Sequence, residues 1–287
     1  MQARPYEFMI KETPAREWSE GMGALIAVAF FCGGVAGGLY LVSLYFNNLW
    51  GMFIGWLFAL GMGLFDVVHL SKPTRAWRIA FRPNSSWISR GFLFVIFFIG
   101  AAAIQLALSY WAAGNPAETF FKIVAGILAF GVAIYSGFVV GFVNGIKFWN
   151  SALMPVLFVV AGLTGGSAIL LAVAAYTSAA NSATVQVLAR FMLVFYAIVI
   201  FIHLWVSTYS SPPARDSAIM ILKGSLAGLF WLVMVLVGIV IPLVLVSMAG
   251  PGSSAVLMVS AAMVLLGNLA LRYVVLKAGR YSPLLPS

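Results

Sequence analysis

Eight long apolar runs dominate this chain, at residues 21–46, 49–70, 90–112, 119–146, 151–178, 186–208, 222–249 and 254–276. A helix of about 20 apolar residues spans the hydrocarbon of a bilayer. Inside lipid every backbone N–H and C=O must be bonded within the protein. Each run therefore predicts a membrane-spanning helix, and the fold class is an all-α integral membrane protein. Breakers mark the junctions: Asn47-Asn48, Pro73, Pro83-Asn84, Asn115-Pro116, Asn150, Asn181, Pro212-Pro213 and Gly250-Pro251-Gly252. Only the connectors at 71–89 and 209–221 have any size, which leaves no room for an extramembrane domain. Composition agrees. Of 287 residues 63% are hydrophobic and 8% charged, against about a quarter charged in a soluble domain. A water-soluble globule, a disordered chain and a nucleic-acid-binding domain are excluded. Residues 1–20 mix Arg4, Lys11 and Arg16 with Glu7, Glu12, Glu17 and Glu20, unlike the basic start of a secretory signal. The first run is expected to be retained as a span.

The net charge of +9 speaks to topology. An even number of spans puts both termini on one side, and 14 of the 16 basic residues fall on that side. Lys122 and Arg190 fall on the other. The positive-inside rule then predicts cytoplasmic termini in the cytoplasmic (inner) membrane of a prokaryote.

A faint internal repeat runs through the sequence. Gly34, Gly37 and Gly38 in span 1 answer to Gly162, Gly165 and Gly166 in span 5, Trp18 to Trp149, and His69 to His203. Four helices per unit preserve orientation. The expected organisation is an N-terminal segment (1–20), a first four-helix bundle (21–146), a second (151–276) and a C-terminal tail (277–287).

Ionisable groups in spans are costly and mark function by default. Asp66 and His69 sit three residues apart at the end of span 2, on one helical face. His203 lies near the corresponding end of span 6. Glu17 and Glu20 stand where span 1 begins, and Arg75 and Arg90 bracket the basic connector that also holds Arg78 and Arg82. All belong to the face that carries the termini. Structural readings compete: Asp66 pairing with Arg75 or Arg90, His69 capping its helix, the glutamates favouring a helix N-terminus. Tyr135, mid-span, needs a hydrogen-bond partner of some kind. The single cysteine, Cys32, is too few for a disulfide or an iron–sulfur cluster, and two histidines are too few for two bis-histidine haems.

Residues 63–91 read GLFDVVHLSKPTRAWRIAFRPNSSWISRG. This resembles the connector between the second and third spans of the polysulfide reductase membrane-subunit (NrfD-like) family: an aspartate, a basic-Pro-x-Arg step, then Ser-Trp-x-Ser-Arg-Gly opening the next helix. The Gly33–Gly38 run, Tyr135-Ser136-Gly137, Trp149-Asn150 with the Pro155 and Gly162–Gly166 stretches, and Leu271-Arg272-Tyr273 with Ala278-Gly279 are also in keeping. The resemblance implies a membrane anchor without haem, metal or iron–sulfur cluster and with no substrate-converting centre of its own. It implies menaquinone or ubiquinone bound in the first bundle. It also implies a ferredoxin-like four-cluster iron–sulfur partner, and through it a catalytic subunit of the molybdopterin type. The site residues it implies are Trp18, Glu20, Asp66, His69 and Tyr135. Charge itself suggests that Arg75 or Arg90 stabilises negative charge on a bound quinone and that Arg78 and Arg82 of the basic connector dock the partner. Some relatives carry a histidine one turn into span 1, where this sequence has Met22, Gly23 and Ala24. The competing expectations are a secondary transporter, favoured by the repeat, and a single-haem anchor using His69 and His203.

Overall fold

A computed structural model of the protein describes residues 9, 11–70, 72–177, 179, 181–250 and 253–284. Arg4, Glu7 and the Pro251-Gly252 breaker lie outside the described residues. Among the described residues are eight helices long and apolar enough to cross a membrane. They are span 1 (Gly21–Tyr45), span 2 (Leu49–His69), span 3 (Trp87–Trp111), span 4 (Pro116–Gly141), span 5 (Leu153–Tyr176), span 6 (Ser182–Ser210), span 7 (Leu229–Met248) and span 8 (Ser254–Lys277). The expected fold class is observed.

Side-chain caps fix several starts. Asn48 Oδ1 accepts from the Gly51 amide at 2.8 Å, Ser86 Oγ from Ser89 at 3.3 Å, and Asn115 Oδ1 from Ala117 at 2.9 Å. Two limits depart by more than four residues from the expected ones. Span 4 stops at Gly141 rather than 146, because residues 142–152 turn; Asn150 Nδ2 donates to Gly141 O and Asn144 Oδ1, both at 3.0 Å. Span 7 starts at Leu229 rather than 222. A separate helix, Pro212–Leu222, precedes it, and the backbone turns at Lys223-Gly224. The first twelve residues of span 7, Leu229–Val240, wind as a π-helix and continue as α-helix from Ile241.

Span 1 packs against spans 2, 4, 5 and 8; span 5 packs against spans 1, 4, 6 and 8. The two central helices meet through the repeated glycines. The Gly34 and Gly162 backbones touch, and Gly38 and Gly166 lie against the opposite backbone. Small residues allow this approach, which is how helices associate where lipid removes the hydrophobic drive between them.

The two ends of the protein are latched on one face. Strand β1 (Thr13–Pro14) pairs antiparallel with β2 (Arg280–Tyr281). Glu12 meets Arg280 at 3.3 Å, Glu20 meets Lys277 at 2.5 Å, and the Tyr281 hydroxyl donates to Glu17 at 2.6 Å. Trp18 lies edge-on to Trp149, with ring centroids 5.2 Å apart, and Trp149 Nε1 donates to Val275 O at 2.7 Å.

At the opposite end, a buried polar relay ties spans 1, 3 and 4. The Tyr40 hydroxyl donates to Gln105 Oε1 (2.6 Å), Gln105 Nε2 to Ser109 Oγ (2.7 Å) and Ser109 Oγ to Glu118 Oε1 (2.7 Å). Glu118 also pairs with Lys122 at 2.8 Å.

Candidate functional site

Tyr135 of span 4 is the centre of a polar locus among spans 1, 2, 3 and 4. Its ring lies over Gly91 of span 3, where a side chain would collide with it, and edge-on to Phe30 of span 1 at 6.4 Å. Its hydroxyl points to Met62 Sδ of span 2 at 3.9 Å. A thioether is a weak acceptor, so this buried hydroxyl has no strong partner. Met62 in turn rests in the notch left by Gly33. One turn beyond Met62 stands Asp66, half-buried near the end of span 2. Among the described residues no hydrogen bond or ion pair is made to Asp66. The alternative of Asp66 pairing with Arg75 or Arg90 is not what the structure shows.

His69 is the last residue of span 2, half-buried, one turn past Asp66. No hydrogen bond links the two. The other expected residues are placed differently. Arg90 holds the connector: its Nε donates to Pro83 O at 2.6 Å, its Nη2 to Asn84 O at 2.9 Å, and its guanidinium lies 4.4 Å above the Trp87 ring. Trp87 is stacked on Phe138 of span 4 at 4.1 Å. Arg75, Arg78 and Arg82 are exposed around the 3-10 helix Pro73–Phe81, beside the exposed pair Trp77 and Phe81. Trp18 and Glu20 belong to the latch. The Lys277 ammonium hydrogen-bonded to Glu20 holds that carboxyl below the usual carboxylate range.

The second half carries buried polar groups of its own. Arg272 is wholly buried, donates to Phe158 O at 3.0 Å and lies 4.1 Å over that ring. His203 is buried against Phe148 at 4.9 Å, in a void of about 10 Å³ lined otherwise by apolar side chains. It stands on span 6, whereas His69 ends span 2. No group of three or more His, Cys, Asp or Glu residues is placed to hold a metal among the described residues.

Sequence reasoning named Tyr135, Asp66 and His69 as candidates but not Met62 and Gly91, which shape the space around the tyrosine. The glycine in Ser-Arg-Gly was the available signal, since a ring packed on a helix backbone requires one.

Residues 19–283 match the family described as "Polysulphide reductase, NrfD". The protein is also similar to the C subunit of polysulfide reductase from Wolinella succinogenes, 28% identical over 253 residues, covering 77% of this sequence and 78% of that one. With eight apolar spans and a match over nearly its whole length, this multi-pass membrane protein belongs to the polysulphide reductase NrfD family, whose members are membrane anchors of oxidoreductase complexes.

Proposed function

We propose that this subunit exchanges electrons and protons between the membrane quinone pool and an iron–sulfur partner. The headgroup is held between spans 2, 3 and 4 by Asp66, Tyr135 and His69. One observation carries the reading: the buried Tyr135 hydroxyl reaches only the Met62 thioether, one helical turn from Asp66, and among the described residues Asp66 makes no hydrogen bond or ion pair. Buried polar groups are nearly always bonded, so a buried hydroxyl with only a thioether partner, beside an unpaired carboxyl, fits a ligand with polar atoms. A quinone, when bound, supplies two carbonyl oxygens that take up two electrons and two protons.

The roles of the protein's own groups follow. Tyr135 donates to one oxygen. His69, with one nitrogen able to donate and the other to accept, stands at the membrane boundary and passes protons between the pocket and water, while Asp66 keeps the pocket attractive to them. The apolar faces of spans 2 and 3 admit the tail from lipid. Electrons pass to or from a partner cluster, since one cysteine cannot hold one. The connector is the docking surface: Arg75, Arg78 and Arg82 are exposed, and Arg90 fixes the backbone that presents them. The quinone is menaquinone or ubiquinone, the catalytic subunit is of the molybdopterin type, and the division into two four-helix bundles, at 21–146 and 151–276, separates the quinone half from the other. Both termini face the cytoplasm of a prokaryotic inner membrane; a C-terminal reporter active only outside the cytoplasm would overturn that orientation alone.

The test is quinol-linked activity of the assembled complex beside dye-linked activity of its catalytic subunit. Tyr135→Phe removes one hydrogen bond, worth about 0.5–1.5 kcal/mol, and is expected to weaken quinol turnover several-fold with assembly intact. His69→Ala is expected to cost more, having removed a proton carrier. Wild-type quinol-linked activity in both variants would put the pocket elsewhere.

A further inference from the structure

Spans 2 and 3 touch more sparsely than spans 1 and 2 or spans 3 and 4. At the end of this seam away from the termini they part around a cavity of about 490 Å³. Trp50, Phe53 and Trp56 form one wall, Ala103 and Ala107 form the floor, and Trp111 stands at the rim. No charged residue lines it. The two alanines are four apart, hence on one helical face, and their small side chains are what opens the groove. At its inner end Trp56 Nε1 donates to Ile99 O at 3.0 Å, a polar tie that holds the two helices at a fixed spacing. The groove is therefore a preformed feature of the seam.

The same seam leads to the polar locus. Met62 and Asp66 lie six and ten residues beyond Trp56, about 9 and 15 Å along the helix, and Gly91 lies eight residues before Ile99, about 12 Å. A ligand whose head sits against Tyr135 and Asp66, and whose tail leaves between spans 2 and 3 and follows their lipid face past the Trp56–Ile99 tie, comes to this groove. We propose that the groove lined by Trp50, Phe53, Trp56, Ala103 and Ala107 binds the distal part of the isoprenoid tail of the quinone. This rests on the headgroup reading above. The seam's continuity and the uncharged, ring-rich wall favour a branched isoprenoid tail over a phospholipid, whose phosphate would find no basic side chain in the lining. Lipid is as apolar as the groove, so the groove holds the tail by shape, and the energetic effect of filling it is modest.

Two measurements on the assembled complex test this. In the first, Ala103→Phe and Ala107→Phe fill the floor from the lipid side and are assayed with a native polyisoprenoid quinol and a decyl-tailed analogue. The expected result is a rise of several-fold in KM for the long-tailed quinol with the decyl analogue unchanged. Equal changes for both, or none for either, overturn the proposal. In the second, a quinone with a photoreactive group at the far end of its tail is cross-linked and mapped by mass spectrometry. Labels are expected within 49–56 and 103–111 and to be lost in Ala107→Phe. Labels elsewhere, with phospholipid acyl tails alone recovered from the groove, overturn it. If Tyr135→Phe leaves both quinols at wild-type turnover while the tail label still lands in the groove, the headgroup reading has failed and the tail site stands.

Discussion

Gly91 determines where Tyr135 can stand. A Cβ at that position would lie against the tyrosine ring, with Cγ 2.7 Å away, a separation that real side chains do not tolerate. Gly91→Ala must therefore push the ring off span 3. Overpacking of this kind costs about 1–3 kcal/mol, so a lowered unfolding temperature in detergent is expected together with reduced quinol-linked activity; Gly63→Ala, which meets nothing within 4 Å, is the control and should lower neither. The terminal latch makes a prediction in pH. Glu20 is held below its ordinary value of 4.5, by its hydrogen bond to Lys277 first. A depressed carboxyl stabilises the fold above its unfolded pKa and loses that contribution as pH falls through the folded one. Tyr281 is raised above 10.0, by burial first and then by its hydrogen bond to Glu17. It contributes below its unfolded value and loses that contribution as pH rises. The latch should therefore hold between about pH 4.5 and 10, and limited proteolysis of residues 11–20 should accelerate only outside that window. At this scale the sequence exposed what is chemically rare. Asp66 and Tyr135 stand out because carboxyls and hydroxyls in spans are few. Met62 and Gly91 do not, since such residues in membrane helices ordinarily serve packing. Glu20 was legible as a residue but not as half of an ion pair, because Lys277 lies 257 positions away.

The relay through Gln105 shows how one polar side chain can fasten several elements. Gln105 is wholly buried, accepts from Tyr40 of span 1 and donates to Ser109, which reaches Glu118 of span 4. Gln105→Leu leaves the buried Tyr40 hydroxyl without its acceptor. An unmet buried group costs about 1–3 kcal/mol, so thermal unfolding should shift down. Adding Tyr40→Phe should then cost less than Tyr40→Phe alone, because the orphaned hydroxyl is removed with its partner; strictly additive losses would show that the two side chains are not coupled. The spans themselves were readable from apolar length, while the starts of spans 3 and 4 fell three residues before the expected 90 and 119 because Ser86 and Asn115 cap them. The end of span 4 and the start of span 7 were not readable in that way. Residues 142–146 are apolar enough to continue a helix, and their turn is fixed by Asn150 side-chain bonds. Residues 223–228 are interrupted by Lys223 and Gly224, whose backbone closes against Met220. Hydropathy alone reads past both. The basic connector is a third element with a testable role: Arg78→Ala with Arg82→Ala should lower retention of the iron–sulfur partner on purified membranes while leaving the span fold intact, because both side chains are exposed.

The whole molecule depends on one seam. The glycine runs that repeat between spans 1 and 5 are each other's packing partners, and Trp18 and Trp149, the tryptophans that precede them, also meet. The spacing announced the repeat, but that its two copies face each other is a tertiary fact that spacing does not contain. At this seam backbone meets backbone. A Cβ on Gly38 would strike the Gly162 carbonyl and, at 2.7 Å, the Leu163 amide, while one on Gly162 would strike the Gly34 carbonyl. No flexible side chain is available to give way, so a single methyl must separate the helices. Gly38→Ala and Gly162→Ala are each expected to destabilise by about 1–3 kcal/mol. The double variant should lose less than the sum, because the helices already part to admit the first methyl and residues in contact couple. Gly100→Ala, on span 3 with nothing within 4 Å, should keep or raise stability, since alanine favours the helix by about 1 kcal/mol. Span 1 carries Phe30 and the Gly33 notch that seats Met62 under the Tyr135 hydroxyl. Separation at the seam should therefore reach the polar locus, and quinol-linked activity should fall in the two seam variants and not in Gly100→Ala. Seam variants that unfold earlier yet turn over quinol as wild type would show that the locus is held by spans 2, 3 and 4 without span 1.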